Sequence, residues 1–274
     1  MIIDGVRAAD LSVAALARET AEFTRRTGIT PGLALVAIDD DPAQRLYVRK
    51  KLVQCVRAGI RPVHRPLQAS ATTGQVVRIV EALNADPSVH GIFVQWPLPG
   101  GVEIGAVAQA IAPGKDVDGM AGTSFAPATV LACERLLRTV VTDIAELEAL
   151  IACQSDEFAQ PIARILRAAN CKVTLAARNS GDLAGTCRRA DILIAALSEP
   201  GMIRGEWIKP GAIVIDAGVN AVAERDGSLR YVGDVKFDEA VRVAGAITPV
   251  PGGVGPMTIA CLLENTLAAA KRST

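Results

Sequence analysis

In YVRKKL, residues 47–52, Tyr47 and Lys51 stand four positions apart, so a helix sets the phenol and the amine on one side. A partly buried lysine beside a phenol has an altered protonation balance and is suited to proton transfer. The same spacing also serves an exposed face whose lysine stems lie along apolar surface while their charges stay in water. Two further residues can converge on the pair. Gln95 ends the apolar strand 89–95 and precedes the rigid WPLPG, and Asp118 lies in KDVDG. Strand C-terminal ends face the ligand crevice of open α/β sheets. Gln95 there orients a lysine or binds a polar ligand edge, and Asp118 accepts paired hydrogen bonds from a heterocycle. A turn-stabilising glutamine and an Asx-turn aspartate are the plainer alternatives.

These side chains need a scaffold, and the pattern around them is β-α-β-α-β. Residues 10–27 read as a helix, with Leu11, Ala14, Leu16 and Phe23 on its apolar side. GLALVAI, 32–38, is a short apolar strand ending at Asp39, Asp40 and Asp41. Helical spacing returns over 43–58 until Gly59, and RPVHRPL gives a second strand. Thr72 or Thr73 caps a helix through Leu83, and VHGIFVQ at 89–95 stops at Pro97 and Pro99. A turn-rich tract at 111–122 places a junction near Asp118 to Gly122. Beyond it, helices near 128–139 and 156–169 alternate with strands near 148–152, 172–177, 191–197 and 212–218. A last helix near 256–271 is expected to pack back on the first domain. The fold class is therefore α/β with mostly parallel sheets.

Composition narrows the function. Lys+Arg and Asp+Glu both number 29 among 274 residues, and aromatic content is 3%. Neither a basic field nor stacking side chains point to nucleic acid. The six cysteines, at 55, 133, 153, 171, 187 and 261, form no CxxC pair, and only His64 and His90 could join them, so no metal site is expected. The start lacks a basic region followed by an apolar targeting stretch, and no uncharged apolar run reaches about 18 residues. A cytoplasmic protein without a membrane partner is the simplest reading.

Taken in order, YVRKK at 47–51, VQWPLPGG at 94–101, KDVDG at 115–119, GEWIKPGAIVIDAGVN at 205–220, VGDV at 232–235 and TPVPGGVGPMT at 248–258 resemble the bifunctional methylenetetrahydrofolate dehydrogenase/methenyltetrahydrofolate cyclohydrolase family over nearly the whole chain. The resemblance implies two α/β domains flanking a folate cleft, the second a Rossmann-like parallel-sheet domain. Residues 1–119 plus 256–274 would form the folate domain and 120–255 the dinucleotide-binding domain. It makes Lys51 the central cyclohydrolase lysine, Gln95 its tuning partner, Tyr47 the ring packed along folate and Asp118 the acid that holds the pterin. Pro251, Gly252 and Gly253 would line the same site. A homodimer acting on tetrahydrofolate one-carbon derivatives with NADP, or NAD, is implied.

The cofactor half departs from that pattern. Where the family has Gly-Arg-Ser and then Val-Gly-x-Pro, this chain has ACQSDEFAQP at 152–161. Cys153, Gln154, Phe158 and Ala159 are the replacements, while Ser155 and Pro161 are retained. Cys153 and Ala159 add side chains where glycine permits close phosphate approach. Asp156 and Glu157 suit the first turn of a helix, yet they weaken the anion site that a helix N-terminus provides. Pro127 and Thr129 survive in PATVLA, while Leu197 and Ser198 stand for threonine and glycine in AALSEP. Arg178 follows the strand 172–177 and is aimed by the family fold at a ribose phosphate, or is a surface arginine at a turn. Three readings follow: a bifunctional enzyme, a cyclohydrolase alone, or a nonenzymatic folate-binding regulatory paralogue. Simple binding has no need of Lys51, and the persisting architecture ranks the bifunctional enzyme first.

Overall fold

The computed structural model describes every residue except 39–41, 122, 123, 225 and 227, and gives only the backbone of 42–44 and 46. The expected strand end at Asp39 to Asp41 and the Gly122 side of the expected junction lie outside the described residues. The chain forms two compact units, one of Asp10–Ala128 with Ile259–Thr274 and one of Met1–Ala9 with Thr129–Thr258.

The first half contributes α1 (Gly5–Thr27), β1 (Gly32–Ile38), α2 (Pro42–Arg57), β2 (Arg61–Leu67), α3 (Thr73–Ala85), β3 (Gly91–Val94) and α4 (Ile104–Ala110). The three strands are parallel in the order β2-β1-β3. Central β1 is buried at all seven positions, which explains its unbroken apolar run. β2 carries Pro62 and Pro66, which lack the ladder N–H, and both are accommodated because β2 is an edge strand. Gly59, at φ +72°, follows α2 and turns the chain into β2. Thr72 caps α3 through a capping box with Gln75.

The remainder contributes α5 (Ala128–Arg138), β4 (Glu148–Cys153), α6 (Asp156–Ala168), β5 (Lys172–Ala176), α7 (Leu183–Cys187), β6 (Ile192–Ala196), β7 (Ile213–Asp216), β8 (Asn220–Ala223), β9 (Leu229–Val232), α8 (Phe237–Ala240), β10 (Ala246–Ile247) and α9 (Val254–Arg272). Five parallel strands lie in the order β10-β7-β6-β4-β5. Renumbered within the unit, that is the doubly wound 2-1-3-4-5, whose direction reverses between β4 and β6. β8 and β9 form a separate antiparallel ribbon.

The unit boundaries differ from the expected ones. Met1–Ala9 groups with 129–258, because the N-terminus extends the sheet edge: Ile3 N donates to Ile247 O at 2.8 Å, Ile247 N to Met1 O at 3.0 Å, and the terminal amine to Gly245 O. The division between the halves falls at 128/129 rather than 119/120. Residues 259–274 group with 10–128, where Asn265 Nδ2 donates to the carbonyls of Val117 and Ala126.

Candidate active site

Helix α2 takes Lys51 off the exposed face that YVRKKL also allowed. Its buried stripe runs Val48, Lys51, Cys55 and on to Ala58 just past its end, at alternating steps of three and four, while Arg49 and Lys50 are exposed. Lys51 thus sits in the apolar lane with 8% of its surface exposed. Its Nζ donates to Gln95 Oε1 at 2.7 Å and lies 4.8 Å from the centre of the Phe93 ring. Gln95 cannot simply rotate away, because its Nε2 donates to Trp96 O at 2.8 Å and its backbone N–H to Val36 O. This fixes which end of the amide meets the amine.

Burial disfavours the charged amine and brings Lys51 down from 10.5 to about 8, against the attraction of Asp118. Asp118 is held up at about 7 by burial, with Lys51 pulling it back down and Asp116 pushing it further up. An amine and a carboxyl so displaced toward neutrality can each hold or release a proton near physiological pH. Tyr47 is partly buried on the same helix, with Lys50 Nζ 5.6 Å from its ring centre.

KDVDG divides its labour. Lys115 donates to the carbonyls of Leu83, Asn84 and Asp86, closing the C-terminal end of α3. Asp116 is fully buried and accepts from the N–H groups of Met120 and Ala121, which builds the turn. Gly119 is at φ +69°, and a Cβ there would lie 2.7 Å from Phe125 O. The turn-building role thus belongs to Asp116, while Asp118 is governed first by burial and then by Lys51, Asp116 and the Ala128 backbone.

Pro251, Gly252 and Gly253 lie in the second unit, in the turn before α9. Gly252 takes φ +109°, and Gly5 packs so closely that a Cβ on it would meet Gly253 O.

The second unit also carries the expected dinucleotide residues. Cys153 ends β4, while Leu197 and Ser198 follow β6, so they flank the switch point. Ser155 occupies the N-cap position of α6 without a side-chain capping hydrogen bond, and its Oγ donates to Glu157 Oε2 at 2.5 Å. Gln154, Asp156 and Glu157 are exposed, Phe158 is partly buried and Thr129 lies in the first turn of α5. Leu197 needs correction as a binding residue. Its side chain is wholly buried in the core with Ile203 and Val214, and its N–H is taken by Asp234.

Ser198 keeps φ +56°, a conformation that glycine adopts freely and serine only at about 1–2 kcal/mol. Fully buried Asp234 holds it there. Its carboxylate accepts from the N–H groups of Leu197, Ser198 and Glu199 and from Asn220 Nδ2. Asp216, pushed up to about 7 chiefly by burial, accepts from the N–H groups of Gly218, Asp234 and Val235. The tasks of these two aspartates, in VIDAG and VGDV, are not evident from the residue pattern alone. Arg178, at the end of β5, pairs with Glu199 at 3.3 Å, both half-exposed. They line an open depression of about 480 Å³ with Met202, Arg204 and Trp207.

A dinucleotide suits this framework. The loop 197–199 and Arg178 follow the C-terminal ends of β6 and β5, the side on which open α/β sheets take ligands. The carboxylates at the start of α6 oppose the anionic part of a dinucleotide. Among the described residues, no cluster of three or more His, Cys, Asp or Glu is placed to hold a metal ion, and no helix is long and apolar enough to cross a membrane.

Comparison with known proteins agrees at both halves. Residues 3–118 match the catalytic-domain model of tetrahydrofolate dehydrogenase/cyclohydrolase, and residues 127–274 match its NAD(P)-binding domain. The chain is 48% identical to bifunctional protein FolD 2 of Paracoccus denitrificans, covering 99% of this chain and 93% of that one. Its fold resembles the FolD enzyme of Trypanosoma brucei, solved with NADP cofactor and inhibitor, at TM-score 0.93 and 36% identity, covering 100% and 98% of the two chains. The Campylobacter jejuni enzyme gives TM-score 0.91 at 34% identity, covering 100% of this chain and 99% of that one. With its lysine, glutamine and aspartate gathered in the matched catalytic part and a doubly wound sheet in the other, the chain belongs to the tetrahydrofolate dehydrogenase/cyclohydrolase family.

Proposed function

We propose that this protein oxidises 5,10-methylenetetrahydrofolate to the 5,10-methenyl form with NADP and then hydrolyses that product to 10-formyltetrahydrofolate. The observation that carries the reading is the buried Lys51 amine, donated to Gln95 at 2.7 Å and brought down to about 8. In its neutral form it takes a proton from the water that adds to the methenyl carbon. It returns that proton to N5 as the carbon–N5 bond breaks, and the hydroxyl proton of the adduct leaves to solvent as the formyl group forms. Asp118 pairs with the adjacent N–H donors of the pterin, and Tyr47 packs along the folate. The family resemblance also gives Pro251, Gly252 and Gly253 a part in substrate binding.

The dinucleotide, when bound, supplies the hydride acceptor for the first step. Thr129, Cys153, Gln154, Ser155, Phe158 and the backbone at Ser198 would hold it, with Arg178 at the 2′-phosphate. These residues only need to align two carbons and exclude water. Homodimeric assembly and a cytoplasmic setting accompany this reading through the family resemblance. Light scattering on the purified protein is expected to give about twice the 28.6 kDa chain mass.

The direct test is oxidation of 5,10-methylenetetrahydrofolate with NADP and, separately, NAD. Reduction of NADP above background is expected. A folded, folate-binding sample that reduces neither nucleotide would overturn the dehydrogenase half.

A further inference from the structure

Successive side chains of a strand point to opposite faces. In β3, Ile92 and Val94 enter the core with Val36, Val63 and Val80, leaving Phe93 and Gln95 on the other face. Both meet the same nitrogen: Gln95 accepts a hydrogen bond from Lys51 Nζ, and the Phe93 ring centre lies 4.8 Å from it. Phe93 is 7% exposed and Lys51 8%, so little water screens the contact. We propose that Phe93 is a positioning residue for ring opening, whose π face holds the Lys51 ammonium against Gln95 and biases the amine toward its charged state. This inference rests on the reading of Lys51 as the proton-transfer group.

The face of an aromatic ring is the negative end of its quadrupole, so it attracts the ammonium and not the neutral amine. The other groups around this nitrogen act differently. Asp118 supplies a charge of its own and has Asp116 behind it; Cys55, on α2, has its thiol pushed up to about 12 by burial and is uncharged at working pH; Tyr47 lies one turn back on α2. Phe93 is the uncharged neighbour that distinguishes the two protonation states through its ring alone. A desolvated contact of this kind moves a lysine's titration upward by about half to one and a half pH units, against the downward pull of burial.

Fluorination withdraws the quadrupole while nearly keeping the ring's shape, so it separates this effect from packing. Phe93 is replaced by mono-, di- and trifluorinated phenylalanine, and by tyrosine and leucine. Two readouts follow: the pH dependence of methenyltetrahydrofolate hydrolysis, and NMR titration of Lys51 in protein with 13C-labelled lysine, assigned by loss of the signal in Lys51→Met. The Lys51 titration and the rising limb of the hydrolysis profile are expected to move together to lower pH with each added fluorine. Phe93→Tyr should stay near the parent, and Phe93→Leu should match the trifluorinated ring. A Lys51 signal that titrates at one pH across the fluorinated series would overturn the proposal even where Phe93→Leu misfolds. Parental hydrolysis by Lys51→Met would instead overturn the catalytic reading beneath it, and the NMR series keeps the two failures apart.

Discussion

A lysine on the buried stripe of a helix is costly when charged, and Lys51 is kept there by three neighbours. Gln95 accepts its hydrogen bond, Phe93 faces it and Asp118 attracts it. The aspartate gives a test of sign. Its carboxyl is held up at about 7 against an ordinary 3.8, so the folded state keeps a proton that the unfolded chain releases. The penalty of ionising it in the fold grows as pH rises from about 4 to about 7 and is complete above that. Asp118→Asn is therefore expected to stabilise the protein at pH 8, by on the order of 1–3 kcal/mol, with the gain gone by pH 4. The same variant should bind folate about ten- to hundredfold more weakly, because it loses the charged acceptor. Thermal melts at the two pH values and calorimetry with folate check both halves. Removing that charge should also lower the pH at which Lys51 titrates. The residue roles were only partly legible in the sequence. Three consecutive basic residues at 49–51 blur the helical pattern, and only the fold shows that the third of them lies in the apolar lane. Phe93 was missed although period-two alternation from Gln95 points to it.

At the scale of elements, the doubly wound sheet places the β4–α6 turn and the β6 loop side by side at the switch point. The loop is held by Asp234, and the turn is burdened by acid. A helix N-terminus carries partial positive charge, which Asp156 and Glu157 offset before any phosphate arrives. Asp156→Asn together with Glu157→Gln is expected to tighten NADP about two- to tenfold at low salt and less at high salt. A fluorescence titration giving unchanged affinity would contradict that reading of the helix end. Arg178→Ala should weaken NADP more than NAD in the same titration, since only NADP carries the 2′-phosphate. Most elements were legible because α3, α5 and α6 each have an apolar side and the central strands are unbroken apolar runs. The β8–β9 ribbon was not. Its four-residue strands are mostly exposed or half-buried, so they carry no strong alternation. Nor was the task of Asp234, whose partners Leu197, Ser198 and Glu199 lie more than 30 positions away.

At the scale of the whole molecule, a formal net charge of zero provides no general field to gather an anionic substrate, so recognition falls to local groups. The two units carry different parts of the proposed reaction: proton transfer by residues within 10–128, hydride acceptance by a nucleotide held within 129–258. The presence of two α/β units was legible from the two runs of alternating strands and helices. The assignment of Met1–Ala9 was not, because it depends on hydrogen bonds from the first residues to Gly245 and Ile247, about 245 positions along the chain. Two activities carried by different residues should be separable by one substitution. The decisive measurement supplies 5,10-methylenetetrahydrofolate and NADP to Lys51→Met and follows reduced nucleotide and methenyltetrahydrofolate together. Reduction is expected to continue while hydrolysis falls by about 10²–10⁴-fold, so that the methenyl compound accumulates. Conversion to 10-formyltetrahydrofolate at the parental rate would contradict the role given to Lys51.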